Sequence, residues 1–134
     1  MTACRRLMAW LAALAWAALI FYLSAQPNLT ITRHGTLDFI LRKSAHMAAF
    51  GILFFLLWLA ISQHGARNLA AIITSGFLTL AYAASDEYHQ SFVPGRGAEV
   101  HDVIIDFTGA VIVAIIIFIR LSQHKTAGGR HPPG

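Results

Sequence analysis

Apolar residues dominate four stretches of this chain, 7–23, 43–61, 69–84 and 103–121, and polar residues gather between them. Each stretch approaches the ~20 residues that a helix needs to cross a ~30 Å hydrocarbon core. The first and third are short for this, so they are expected to extend, the first through Gln26 and the third through Tyr88. The pattern predicts an all-α fold, a small integral membrane bundle of four transmembrane helices with short loops.

The breaks between the stretches carry turn chemistry. Pro27, after Ser24-Ala25-Gln26, ends the first helix because proline cannot continue the hydrogen-bond ladder and pushes the residue before it toward extended backbone. In the link 62–68, Gly65 suits a helix C-terminus and Asn68 an N-cap, which makes the middle helices antiparallel neighbours. Pro94-Gly95 marks a turn between the third and fourth helices. Residues 37–41, apolar except for Asp38, read as an interfacial turn leading into the second span. Thr74, Ser75, Gly76 and Thr79 are small or hydroxylated and suit close helix contact in lipid. Residues 1–122 therefore read as one membrane domain, and 123–134, with nothing apolar to bury, as a disordered cytoplasmic tail.

Composition narrows the class. With 57% hydrophobic and 12% charged residues in 134, the chain is too apolar for a soluble domain and too short for several. The formal net charge of +4 comes without any Lys/Arg run, so no nucleic-acid partner is expected. Of the 10 basic residues, Arg5, Arg6, Arg67, Arg120, Lys125 and Arg130 share the side of the termini, and Arg33, Arg42, Lys43 and Arg96 the other. That excess places both termini in the cytoplasm. The first apolar stretch is longer than a secretory signal's, and Leu23 spoils the small-residue cleavage pattern before Gln26, so it reads as a retained helix. Cys4 is the only cysteine and excludes an internal disulfide.

All 6 acidic residues then fall on the face opposite the termini: Asp38, Asp86, Glu87, Glu99, Asp102 and Asp106. On the second helix Lys43, His46 and Phe50 form one stripe, with Lys43 at the mouth and His46 one turn deeper. An ionisable residue within a span usually faces the bundle interior or a watery cavity. Asp86 and Gln90 are i, i+4 and share a face with Tyr82, while Glu87 and Gln90 are i, i+3. Paired carboxylates near a histidine suit acid/base work, or a divalent cation held with His46, His89 or His101. Glu99, Asp102, Asp106 and Gly109 form a second stripe. Asp106, about one turn into the membrane, needs a partner or a proton, since a bare carboxylate there costs ~2.5–3.5 kcal/mol. Arg96 is the first choice of partner, because guanidinium grips a carboxylate or phosphate with two parallel hydrogen bonds, and Lys43 is the second.

The runs Arg42-Lys43-Ser44-Ala45-His46, Ser85-Asp86-Glu87-Tyr88-His89-Gln90, Pro94-Gly95-Arg96 and Asp102-Val103-Ile104-Ile105-Asp106-Phe107-Thr108-Gly109 resemble successive motifs of the VanZ-like family. Phe21-Tyr22-Leu23-Ser24-Ala25-Gln26-Pro27 resembles that family's first-helix ending. Lys43, His46, Asp86, Glu87, Gln90, Pro94, Arg96, Asp102 and Gly109 match its pattern. Asp106 stands where asparagine is usual, and Ala49-Phe50 where an acid and a tyrosine are common. The resemblance implies a multi-pass protein of the bacterial cytoplasmic membrane, related to one associated with low-level resistance to teicoplanin, and it implies no particular reaction.

Three functional classes are open on this pattern. In the first, Lys43, His46, Asp86, Glu87, Gln90, Arg96, Asp102 and Asp106 bind the phosphate headgroup of a membrane lipid or of a polyprenyl-phosphate-linked envelope precursor. In the second, His46 or Glu87 is a general base in a headgroup hydrolase or transferase, and Lys43 with Arg96 stabilises developing charge. Its metal-assisted form uses His46, Asp86 and Glu87, but the spacing matches no established metal signature, so no metal or cofactor is expected. In the third, the cluster only holds the helices in register.

Overall fold

The structure, a computed structural model, describes residues 2–27, 35–65, 68–94 and 99–128. Nearly all of these belong to four helices: α1 (Thr2–Ser24), α2 (Gly35–Ser62), α3 (Leu69–Gln90) and α4 (Val100–Gly128). All four are long and apolar enough to cross a membrane. At 1.5 Å per residue, α1 and α3 reach ~33–35 Å and α2 and α4 ~42–44 Å. The short first and third stretches lengthen as the span requires, but α1 gains its turns at the Thr2 end and stops at Ser24 rather than running through Gln26.

Helix ends follow the local chemistry. Gly65 takes φ 122°, the left-handed backbone that closes α2. The Asn68 side chain accepts the Ala71 amide hydrogen at 3.1 Å and caps α3. Two expected boundaries move. Residues 37–41 belong to α2 and are no separate turn, since nothing there interrupts a helix and the Arg42–Asp38 pair, Nε to Oδ2 2.9 Å at i, i+4, braces that turn. At the other end α4 continues past residue 122 to Gly128, and 129–134 lie outside the described residues.

α2 is the hub. It packs against each of the other helices, most extensively α4, while α1 lies on α2 with a lighter contact to α3. The Arg6 guanidinium donates to the Gln63 carbonyl at 2.9 Å and the Trp10 indole to His64 Nε2 at 3.2 Å. These bonds set the start of α1 beside the end of α2, antiparallel. One core cluster, Phe54, Trp58, Ala71, Ile72, Ala110 and Ile117, fills the half of the bundle near the termini. A second, Ile20, Phe50, Leu53 and Ala83, lies toward the other end. Thr79 and Ser75 are buried on α3 and return their hydroxyls to the carbonyls one turn back, which satisfies them without a partner helix.

α2 and α4 approach most closely at two glycines. A Cβ on Gly51 would stand 3.1 Å from the Gly109 carbonyl oxygen, and one on Gly109 only 2.7 Å from the Met47 carbonyl carbon. Small residues at a crossing let backbones meet where lipid gives no hydrophobic drive. That crossing lies one turn deeper than the polar residues of both helices.

Candidate functional site

Helical spacing delivers the polar side chains from three spans to one end of the bundle. From α2, Lys43 Nζ pairs with Asp102 Oδ1 of α4. One turn deeper, His46 Nδ1 lies 3.6 Å from Asp106 Oδ2, and the His46 ring stacks on Phe50 with centroids 6.5 Å apart. From α3, Asp86 Oδ2 accepts the Gln90 amide at 2.9 Å and the Ser24 hydroxyl of α1 at 2.8 Å. Glu87 Oε1 accepts the Glu99 backbone N–H at 2.8 Å, which ties the start of α4 to the end of α3.

Arg42, Lys43, His46, Glu87, Gln90, Asp102 and Asp106 line a cavity of about 40 Å³. Such a volume holds a water or a small ion and no larger group. Asp86 and Asp106 are each 2% exposed and Glu87 5%. Two carboxylate oxygens, Asp86 Oδ1 and Glu87 Oε2, are buried without a hydrogen-bond partner among the described residues. Buried polar groups are rarely left so, because each such group carries its full desolvation penalty.

Sequence reasoning placed Lys43, His46, Asp86, Glu87, Gln90, Asp102 and Asp106 together, and they meet. The pairing differs: Asp106 faces His46 and not Lys43, whose partner is Asp102, because the rotation of α4 puts Asp102 level with the mouth of α2. Arg96 lies outside the described residues. Two other histidines leave the site: His89 stacks on Phe21 with centroids 4.2 Å apart, and His101 is exposed. Glu99 precedes α4 and contributes its backbone, not its carboxylate.

The contact of Ser24 with Asp86 and the pairing of Asp38 with Arg42 were not foreseen. Ser24 is fully buried against Asp86, yet apart from the resemblance of 21–27 to a family's first-helix ending, only its place at the end of an apolar run marks it in the sequence. The Tyr82 hydroxyl, one turn before Asp86, donates to the Ala17 carbonyl at 2.5 Å and locks α3 to α1 beneath the site.

The VanZ/LLP1 family model matches residues 9–121. The chain belongs to the VanZ/LLP1 family. No curated protein and no solved structure matches it. The matched segment contains most of each helix and every site residue from Ser24 to Asp106, so the polar cluster of this VanZ/LLP1 protein lies wholly within the family's domain.

Proposed function

We propose that this VanZ/LLP1 protein binds the phosphate-bearing headgroup of a membrane lipid, or of a polyprenyl-phosphate-linked envelope precursor, at the polar end of its bundle. Lys43, Arg42 and Arg96 meet the phosphate, and Asp86, Glu87, Gln90, Asp102 and Asp106 orient those bases. With cytoplasmic termini, this end faces the outer leaflet.

The observation that carries this reading is a polar cavity on α2, α3 and α4 with an apolar groove lined by residues one turn deeper on α2 and α4. Met47 lies one turn below Lys43 on α2, and Gly109 one turn below Asp106 on α4. Both belong to a groove of about 380 Å³ that passes Ala48, Gly51, Ile52 and Phe55 toward Ile112 and Val113. Head above and chain below is the arrangement an amphiphile needs. The headgroup sits at the mouth, where the Arg42 and Lys43 side chains are 38% and 25% exposed, because the cavity behind them is too small for it. An effect on teicoplanin susceptibility follows where the bound lipid carries an envelope precursor.

Titration of purified protein with a polyprenyl phosphate tests the reading. Lys43→Ala is expected to weaken binding about tenfold or more, the worth of a charge-assisted hydrogen bond of ~1.5–3 kcal/mol. Ala48→Trp, which fills the exposed edge of the groove, should weaken the lipid and leave inorganic phosphate unaffected. Equal affinity of the wild type and Lys43→Ala for the lipid contradicts the proposal.

A hydrolase or transferase reading draws on one observation, the His46 Nδ1 contact with Asp106, which is how a carboxylate orients a histidine base. Chromatography of the lipid after incubation separates the two. Turnover lost in His46→Gln and Glu87→Gln with binding retained establishes catalysis, and no turnover leaves binding.

A further inference from the structure

Among the described residues, buried acids outnumber the cations paired with them in this cluster. Lys43 already faces Asp102 and Arg42 already faces Asp38, while Asp86, Glu87 and Asp106 are each more than nine-tenths buried. Uncompensated carboxylates at such depth in a membrane protein are costly, and each normally pairs or binds a cation.

The orphaned oxygens show where a cation fits. Ser24 and Gln90 both donate to Asp86 Oδ2, which fixes the carboxylate and leaves Oδ1 buried without a hydrogen-bond partner among the described residues. One ligand atom from each of His46, Asp86 and Asp106 lies within 4.8 Å of the other two. The His46 Nδ1 to Asp106 Oδ2 separation of 3.6 Å is close to the ~3.4 Å between neighbouring ligands of a tetrahedral ion with ~2.1 Å bonds. Beside them, the cavity of about 40 Å³ leaves room for a bound water, and Glu87 Oε2, buried and unpartnered, belongs to a residue of its wall.

We propose that His46, Asp86 and Asp106 form a binding site for a divalent first-row transition cation of the zinc class, with Glu87 accepting a hydrogen bond from a water on the ion. One imidazole nitrogen with two carboxylate oxygens is a borderline donor set. It lacks the thiolates or thioethers that soft ions select and the all-oxygen shell that calcium and magnesium prefer. Donors behind the ligands are the usual support of such sites, and Ser24 and Gln90 supply them to Asp86. The three ligands come from α2, α3 and α4, so the ion ties these spans together and stabilises the bundle by mass action. The site goes beyond the headgroup proposal and does not depend on it, although a bound cation would also draw a phosphate to a wall otherwise rich in acids.

The test is calorimetric titration of chelator-stripped protein in detergent with Zn²⁺ alone, in the absence of lipid, alongside thermal unfolding. The wild type is expected to bind one equivalent saturably and to melt higher when loaded, with Mg²⁺ at least tenfold weaker. Asp86→Asn, which keeps an acceptor for Ser24 and Gln90, and His46→Gln should each weaken Zn²⁺ at least tenfold. X-ray absorption of the loaded wild type, which needs no variant, should show one imidazole nitrogen among oxygen ligands. Absence of saturable binding, unchanged affinity in both variants, or a shell of sulfur or several imidazoles overturns the site. Because no lipid is present, those results leave the headgroup proposal standing or falling on its own titration.

Discussion

Replacing Gly109 with leucine is expected to force α2 and α4 apart and to cost more stability than any single change in the polar cluster. Even the first carbon of a side chain at 109 would stand 2.7 Å from the Met47 carbonyl carbon and closer still to its oxygen. A flexible side chain could swing away from such a contact, but a helical backbone cannot, so the helices must separate. Overpacking costs about 1–3 kcal/mol and sometimes more, and a backbone obstacle belongs at the upper end. Gly51→Ala should cost less, since its Cβ would meet the Gly109 oxygen at 3.1 Å and the Val113 Cγ2 at 3.3 Å, within reach of a small adjustment. Thermal unfolding in mild detergent ranks the two. Because the crossing lies one turn below Lys43 and Asp106, Gly109→Leu should also abolish lipid binding.

Asp86→Ala is expected to destabilise the protein by about 1–3 kcal/mol, by removing the buried acceptor that the Gln90 amide and the Ser24 hydroxyl share. Ser24, which shares the same acceptor, can turn back to a carbonyl of its own helix. Asp86→Asn retains a carbonyl oxygen for both donors and places its amide where Oδ1 has no partner. It should melt within about 1 kcal/mol of the wild type. The contrast separates the hydrogen-bonding duty of this residue from its charge. Equal destabilisation by both variants, measured by unfolding in detergent, would show that the negative charge itself supports the fold.

The four spans were legible because hydrocarbon leaves the chain little choice: every backbone group must be bonded within its own helix, so long apolar runs can only be spans. The caps at Gly65 and Asn68 were legible for local reasons of the same kind. The start of α2 was not, because the single acid in 37–41 reads as an interface, and only the i, i+4 pairing of Asp38 with Arg42 shows a helical turn.

Within the site, spacing along each helix revealed the stripes on α2, α3 and α4. The rotation of one helix against another is not written in any one stripe, so the second-choice pairing of Lys43 with Asp106 gives way to Lys43 with Asp102 and His46 with Asp106, while the first choice, Arg96, lies outside the described residues. Ser24 was invisible for a different reason. A serine at the end of an apolar run has many ordinary uses, and its role appears only when α1 sets it against Asp86.

The convergence of separate spans into one polar pocket is tested most directly by exchanging the charges of Lys43 and Asp102. Lys43→Asp and Asp102→Lys each set like charges against each other between α2 and α4, a destabilising juxtaposition. The double variant restores an ion pair with its ends reversed. Unfolding measured for the wild type, both single variants and the double should give a coupling energy of about 0.5–3 kcal/mol, with the double more stable than either single variant. Strictly additive losses would mean that the two side chains do not meet, and the pocket would not exist.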